Sequence, residues 1–379
     1  MSDRAPRVLL DATAVPANRA GVGRYVDSLV PALVTAGVEL SLVCQHSDAE
    51  HYATLAPQAR IIPGAPALAR RPARLAWEQT VLPRIARRAN VDVLHCPHYT
   101  MPLHSPGPVV VTIHDATFFS QPQTHTKVKG PFFRSATRTA LRRAARCVVP
   151  SLATRDELVR LLNADPARMN VAYHGVDRST FRIPTDAEKK QVRSSLGLSD
   201  RPYIAFLSTL QPRKNAPNLI RGWIAAAADR AEPPALVLAG GKGWDDTIDD
   251  AIAAVPERLQ VLRPGYLPVE DLPGFLGGAD VVAYPSYGEG FGLPVLEGMA
   301  CGAPVLTTRR LSMPEVGGDA VAYCETDAES IASGLERLLD DAGLRRELAT
   351  AGPPRAAEFS WAASAESHLA AYRESIESH

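Results

Sequence analysis

Residues 279–307 constrain the chain more than any other stretch. Ala279-Asp280-Val281-Val282-Ala283-Tyr284-Pro285 reads as a strand, Gly288-Glu289-Gly290-Phe291-Gly292 as a glycine-rich turn, and Pro304-Val305-Leu306-Thr307 as a second strand. A short helix is predicted to begin between them, near Pro294, because proline suits the first helical position, where no N–H is needed. Such a turn leaves backbone N–H groups exposed at the positive end of the helix, a place for phosphate or sugar oxygens. Two carboxylates flank it, Glu289 in the turn and Glu297 about one turn inside the helix. A ligand lying across the helix start would meet both.

The rest of the chain alternates strands and helices in two series, and 379 residues suit two domains of ordinary size. In the first series, Arg7–Asp11 is a strand. Gly21-Val22-Gly23-Arg24-Tyr25 leads into a helix whose Val22, Tyr25, Val26, Leu29, Val30 and Leu33 recur at helical spacing. Gly37 ends the helix and Val38–Val43 is the next strand, so the chain opens with a βαβ unit of a doubly wound sheet. Gly21 and Gly23 lack the third glycine of a dinucleotide fingerprint, and alone they are consistent with simple close packing. Strands at Val91–His95 and Val109–Ile113 run into His95-Cys96-Pro97-His98 and His114-Asp115. Ligands of open parallel sheets lie beyond the carboxyl ends of the strands, which makes His114 and Asp115 candidates. Zinc binding by His95, Cys96 and His98 is disfavoured, because Pro97 stiffens a spacing that matches no usual site.

An arginine-rich helix is predicted over Phe133–Arg146 and a strand over Cys147–Pro150, with Ser151 as N-cap of a helix over Thr154–Leu162. Thr180–Ser199 reads as a linker. The second series starts at Tyr203–Leu207, whose strand ends in Gln211-Pro212-Arg213-Lys214-Asn215 before a helix over Pro217–Ala228. Arg213 and Lys214 at a strand end can neutralise a diphosphate, the arginine by forked hydrogen bonds and the lysine as a point charge. Taken alone, such a pair is most often surface charge. Strands over Leu236–Ala239 and Leu259–Leu262, the loop Gly265-Tyr266-Leu267 and a helix over Leu272–Gly277 precede the opening stretch. Phe359-Ser360-Trp361, Leu369 and Tyr372 mark a closing helix.

Composition narrows the class. A hydrophobic share of 46% and a charged share of 22% are those of a soluble globular protein. No apolar run approaches the ~20 residues of a membrane-spanning helix, and the N-terminus has no apolar signal core, so a cytoplasmic location is expected. The 5 cysteines are scattered, without a C-x-x-C pair, and read as buried thiols. Residues 1–185 carry 23 Lys/Arg against 13 Asp/Glu, and the remainder 18 against 28. The basic segment Arg70–Arg88 suits either a solvated helix with an ordinary core stripe or a helix resting on an anionic membrane or acceptor.

In combination these motifs resemble the retaining glycosyltransferases of GT-B family 4, the glycosyl transferases group 1. Carrying the resemblance are the Glu289-x7-Glu297 spacing, Gly288-Glu289-Gly290-Phe291-Gly292-Leu293-Pro294, Gln211-Pro212-Arg213-Lys214-Asn215 and Tyr173-His174-Gly175-Val176-Asp177. Gly21-Val22-Gly23-Arg24-Tyr25 and Thr112-Ile113-His114-Asp115 are similar to that family's glycine loop and His-Asp motif. The motifs occur in order over nearly the whole chain.

The resemblance implies an α/β GT-B fold of two Rossmann-like domains facing across a cleft. Residues 1–185 would form an acceptor-binding domain and 186–355 a nucleotide-sugar domain, with 356–379 as a helix packing back on the first. By carry-over, Arg213 and Lys214 would bind the diphosphate, Glu297 the ribose and Glu289 the donor sugar's hydroxyls. The amides of Phe291 and Gly292, beside Leu293, would touch sugar and phosphate, and Tyr266 and Leu267 the base. Gly21 and Gly23 would admit the diphosphate to the first domain, and His114 would reach the sugar. Glu289 would act either as nucleophile, as in retaining hydrolases, or through hydrogen bonding and electrostatics, which is favoured.

The implied activity is retaining, metal-independent hexosyl transfer, with catalysis assigned to Glu289, His114, Arg213 and Lys214. The expected donor is GDP-mannose, with a UDP-sugar as the alternative. No cofactor, metal or nucleic acid is expected. The acceptor would be a lipid-linked glycan, a phosphoinositide lipid or a metabolite, with peripheral membrane contact through the basic first domain. A nucleotide-sugar epimerase or phosphorylase of the same architecture, and a noncatalytic sugar-nucleotide binding module, are the competing readings.

Overall fold

In the computed structural model, residues 4–16, 19 and 21–379 are described. They form two compact units, Met1–Gly175 with Ser360–His379, and Val176–Phe359.

The first unit is built on seven parallel strands: β1 (Arg7–Asp11), β2 (Glu39–Cys44), β3 (Arg60–Pro63), β4 (Val93–Cys96), β5 (Val109–Thr112), β6 (Arg146–Val149) and β7 (Met169–Val171). Their order is β3-β2-β1-β4-β5-β6-β7. Strand side chains alternate between faces, and in β1 this sends Val8 and Leu10 to one core layer and Leu9 to the other. Both faces are covered, as an all-parallel sheet requires. The helix Gly21–Thr35 buries Tyr25, Val26, Leu29, Val30 and Leu33, the stripe expected from its sequence. Buried aliphatic side chains of this kind contribute about 1.5–3 kcal/mol each before entropy is counted.

The C-terminal helix, Trp361–Glu377, belongs to this unit and places Ala365, Leu369 and Tyr372 in the same layer. Ser360 caps it by accepting from the Ala363 N–H at 3.1 Å. Its start lies so close to Gly175 that a Cβ there would overlap the Trp361 backbone nitrogen, which explains the glycine in Tyr173-His174-Gly175.

The second unit repeats the plan with β8 (Tyr203–Leu207), β9 (Ala235–Ala239), β10 (Val261–Gly265), β11 (Val281–Tyr284), β12 (Val305–Thr308) and β13 (Ala322–Cys324), ordered β10-β9-β8-β11-β12-β13. In both sheets the strand order reverses beside the first strand, between β1 and β4 and between β8 and β11. That crevice is where open α/β sheets bind their ligands.

Several boundaries differ from expectation. The expected linker at Thr180–Ser199 contains a helix, Asp186–Ser195, started by a capping box in which Thr185 and Glu188 satisfy each other's backbone N–H. Arg182 pairs with Glu188 at 2.7 Å. These contacts tie residues 176–185 to the second unit, so the division falls at Gly175/Val176 and not at 185. Residues 356–359 likewise stay with the second unit. The arginine-rich helix spans Lys129–Arg143, because Ala144 turns extended and Arg146 already belongs to β6. β10 spans Val261–Gly265 despite Pro264, which an edge strand tolerates. Gly21 and Gly23 lie in the first turn of a helix and not in a preceding loop.

Candidate active site

The loops after β8 and β11 meet at the crevice of the second unit. After β8 the chain makes a single 3-10 turn, Pro212–Lys214, and Asn215 takes a left-handed conformation (φ 61°) before the helix Ala216–Ala227. The turn aims Arg213 and Lys214 at the other loop, and Asn215 anchors it by donating to the carbonyls of Pro285 at 3.0 Å and Thr326 at 2.7 Å. The Tyr287 N–H donates to the Arg213 carbonyl at 3.0 Å, so the two loops are stitched along their backbones.

Glu289 sits at the centre of the cluster and is buried. Its Oε1 accepts from Lys214 Nζ at 2.7 Å, Ser286 Oγ at 2.7 Å and Tyr284 OH at 3.2 Å. Its Oε2 lies 2.6 Å from Arg213 NH1, and that guanidinium also donates to the Gly288 carbonyl at 2.6 Å. Burial alone would raise the carboxyl's pKa, but Arg213 and Lys214 outweigh it and hold the group at about 2. Lys214 also donates to Tyr284 OH at 2.7 Å. Charge-assisted bonds of this length are the strong class.

Beyond Glu289 the chain turns into the helix Leu293–Ala300 through Gly292, whose φ of 107° disfavours any side chain. A Cβ there would also collide with Met313 Cε. Ser312 Oγ lies 2.8 Å from the carbonyl oxygens of both Glu289 and Phe291, bracing the turn from behind. Phe291 is buried against Phe359, ring centroids 5.7 Å apart. Glu297 is buried within the helix, at 3% exposure. Tyr266 is exposed and lies over the backbone of Gly241 on the loop after β9, with Leu267 half-buried beside it. The structure thus brings Arg213, Lys214, Glu289, Tyr284 and Ser286 together. Tyr284 and Ser286 were not singled out by sequence, although Tyr284 ends β11 and Ser286 lies just beyond it, before the turn.

In the first unit, His114 follows β5. Its Nε2 donates to the Pro97 carbonyl at 2.7 Å, which leaves Nδ1 as the acceptor nitrogen. Burial lowers its pKa, opposed in part by that bond and by Asp115, so it is neutral near pH 7. Asp115 is occupied locally, accepting from the Thr117 N–H at 3.0 Å and Oγ1 at 2.6 Å. Gly21 is exposed and Gly23 buried.

His95 faces the interior and joins a hydrogen-bonded chain whose direction is fixed at one end. His368 Nδ1 lies 2.7 Å from the Ser364 carbonyl and must donate to it, so Nε2 accepts from Tyr25 OH at 2.8 Å. Thr112 then donates to Tyr25 (2.9 Å), His95 Nε2 to Thr112 (2.9 Å), and Tyr372 OH to His95 Nδ1 (2.8 Å). The chain begins and ends on the C-terminal helix. Burial and neighbouring histidines lower His95 well below its usual pKa. Both ring nitrogens of His95 are thus engaged within the interior of the unit. Among the described residues no group of His, Cys, Asp or Glu side chains is arranged to hold a metal ion, and no helix is long and apolar enough to cross a membrane.

Comparisons with known proteins match this arrangement. The family described as "Glycosyl transferases group 1" matches residues 188–355, and "Glycosyltransferase Family 4" matches residues 19–180. An O-antigen chain mannosyltransferase B from Escherichia coli is 33% identical over 273 residues, 71% of this chain and 71% of that protein. A D-inositol 3-phosphate glycosyltransferase from Salinispora tropica is 35% identical over 256 residues, 62% of this chain but only 52% of that protein, so the match spans about half its length. Two solved structures share the fold. A sucrose-phosphate synthase from Thermosynechococcus elongatus has a TM-score of 0.78 at 20% identity, covering 99% of this chain and 100% of that one. HepE from Anabaena in complex with UDP-glucose has a TM-score of 0.75 at 16% identity, covering 96% and 98%. The two Rossmann-like units are those of the GT-B fold, and the chain belongs to glycosyltransferase family 4, the glycosyl transferases group 1.

Proposed function

We propose that this glycosyltransferase moves a hexose from a nucleotide diphosphate sugar with retention of configuration and without a metal ion, and that GDP-mannose is the donor. The observation that carries the reading is the Arg213–Lys214–Glu289 cluster at the strand-order reversal of the second unit. Cleaving an anomeric C–O bond builds negative charge on the departing diphosphate. Two fixed cations and the amides of Phe291 and Gly292 at a helix start are suited to stabilise it, at about 3–4 kcal/mol per well-placed donor. Glu289 contributes electrostatically and by hydrogen bonding. A carboxylate with both oxygens committed to Arg213 and Lys214 is poorly placed as a nucleophile, so attack by the acceptor on the donor's front face, with the leaving phosphate taking its proton, is favoured over a covalent intermediate.

Glu297 is assigned to the ribose and Tyr266 and Leu267 to the base. Gly21 and Gly23 are assigned to close approach of the diphosphate, and Nδ1 of His114 to a substrate hydroxyl. The mannose assignment is supported by the Escherichia coli O-antigen mannosyltransferase. The inositol phosphate glycosyltransferases among the relatives favour a second reading, in which the acceptor is a phosphorylated polyol. A lipid-linked glycan is the preferred acceptor class, with the enzyme working at the cytosolic membrane face.

A panel of nucleotide sugars, followed by thermal stabilisation and release of nucleoside diphosphate, tests the donor. GDP-mannose should give the largest shift. A larger shift with a UDP-sugar would overturn the base assignment, and turnover without an acceptor or free nucleoside diphosphate would indicate an epimerase.

A further inference from the structure

The first unit has its own strand-order reversal, between β1 and β4, and three buried ionisable side chains gather at it. Asp11 ends β1 and is 3% exposed, while Arg74 and Glu78 come from the helix Arg71–Thr80 with side chains 9% and 2% exposed. Cys96, which ends β4, feels the charge of all three.

Glu78 is fully engaged. Its Oε2 accepts from Thr100 Oγ1 at 2.6 Å and Arg74 NH1 at 3.2 Å, and its Oε1 from Gln79 Nε2 at 3.1 Å. Gln79 in turn clamps the loop after β4, donating to the Met101 carbonyl at 3.0 Å and accepting from the Leu103 N–H at 2.9 Å. Asp11 and Arg74 are engaged on one side alone. Asp11 Oδ1 accepts from the Thr13 N–H at 3.0 Å and Thr13 Oγ1 at 2.6 Å, but among the described residues nothing donates to Oδ2. Arg74 uses NH1 on Glu78, and its other guanidinium N–H groups donate to no side chain or carbonyl among the described residues. No ion pair joins Asp11 to Arg74 there, although the arginine's charge acts on the carboxylate.

Buried polar groups with a purely structural task are satisfied, because leaving one unpaired is costly. A bare acceptor near bare donors at a ligand crevice is the complement of a hydroxyl group, which donates to the one and accepts from the other. The charge balance narrows the class. Two carboxylates share one guanidinium, and the next cation, Arg71, is turned to the rings of Phe132 and Phe133 at 4.5 and 5.4 Å. The excess negative charge repels a phosphate or carboxylate, and an ammonium has no lone pair for Arg74. A neutral hydroxyl meets both demands.

We infer that Asp11 Oδ2 and the outer edge of Arg74 form a polyol subsite in the first unit, which holds an uncharged sugar of the acceptor by its hydroxyls, with Glu78 and Thr100 positioning the guanidinium. The inference rests on the reading of the acceptor as a glycan, and it disfavours a phosphorylated group at this place.

The test titrates the full-length protein, by ligand-observed NMR, with the methyl glycosides of mannose, glucose and galactose and with inositol 1-phosphate. Wild type is compared with Asp11→Asn and Arg74→Lys, and GDP-mannose is titrated alongside. At least one glycoside should bind wild type. Asp11→Asn keeps an acceptor for Thr13 but sets an amide N–H where the bare oxygen was. It should weaken that glycoside about tenfold or more, the scale of one hydrogen bond to a charged group. Its thermal stability at pH 7 should not fall, because burial raises Asp11 and so penalises the ionised form there. Arg74→Lys keeps a charge beside Glu78 but loses the fork, and should weaken the same glycoside. GDP-mannose affinity should be the same in all three proteins. A glycoside that binds the three equally would refute the subsite and leave the glycan reading standing. Weaker binding with a lower melting temperature in both variants would assign the cluster to the fold and refute the subsite as well. Inositol 1-phosphate binding more tightly than every glycoside, or no glycoside binding to wild type, would overturn both readings. Absent GDP-mannose binding would remove the donor assignment alone.

Discussion

The directed chain from Tyr372 to Ser364 makes the first unit acid-labile through a group whose contribution can be worked out. His368 must accept a hydrogen bond at Nε2, and protonation there would set an N–H against the Tyr25 hydroxyl, whose own proton already points at it. Burial accordingly lowers His368 from 6.5 to about 4. The folded pKa lies below the unfolded one, so the contribution is fully present above about pH 6.5 and is lost as pH falls toward 4. For a site with these two values, going from pH 7 to pH 5 removes about 2 kcal/mol, and the full loss is about 3 kcal/mol. His95, His98, His114 and His174 are displaced in the same direction by burial and add to the loss. Asp11 and Glu78 act in the opposite sense, since burial raises them and a carboxyl raised on folding gains stability as pH falls.

Urea unfolding at pH 7 and pH 5 measures the difference, with amide exchange of residues 361–377 reporting on this unit separately from the other. The midpoint should fall at pH 5, and His368→Gln should lose part of the pH dependence. Equal stability at the two pH values, or a gain at pH 5, would refute the assignment of neutral, inward-directed histidines.

Two further outcomes follow from local geometry. Gly292→Ala should cost at least about 1–2 kcal/mol from the left-handed backbone alone, with an added penalty from Met313; unfolding in denaturant reads the stability, and donor affinity should fall with it. His114→Ala should lower kcat more than it raises the donor KM, because the residue is neutral and held by Pro97; an unchanged kcat would remove it from the catalytic set.

Much of the fold was legible because it rests on local pattern. The helix after Gly21 shows its buried stripe in Tyr25, Val26, Leu29, Val30 and Leu33, and the strands before Arg213 and Glu289 are continuous apolar runs bounded by glycine or proline. Less legible were elements whose signals conflict. The edge strands β3 and β13 are short, and Pro63 and Pro264 argue against pairing that an edge position permits. The helix Asp186–Ser195 is mostly polar, with half its residues charged, so its Thr185/Glu188 capping box was outweighed by the surrounding composition.

Of the candidate site, Arg213, Lys214 and Glu289 could be named from the motifs, but their mutual ion pairing could not. It depends on two loops 75 positions apart being stitched at the β8–β11 crevice. Tyr284 and Ser286 become visible as partners of Glu289 only there. The chain joining Tyr25, His95, Thr112, His368 and Tyr372 was likewise beyond sequence reasoning, because its members lie on four different elements, with up to 343 positions between bonded partners.

The central claim is that the cations at the second unit's crevice hold a nucleotide sugar's diphosphate. Calorimetric titration of GDP-mannose into wild type and Lys214→Ala tests it most directly. The account predicts clear binding to wild type and a loss of at least about tenfold in the variant, the scale expected for removing one partner of a buried charge pair. Equal affinity in the two proteins, with both folded, would contradict it.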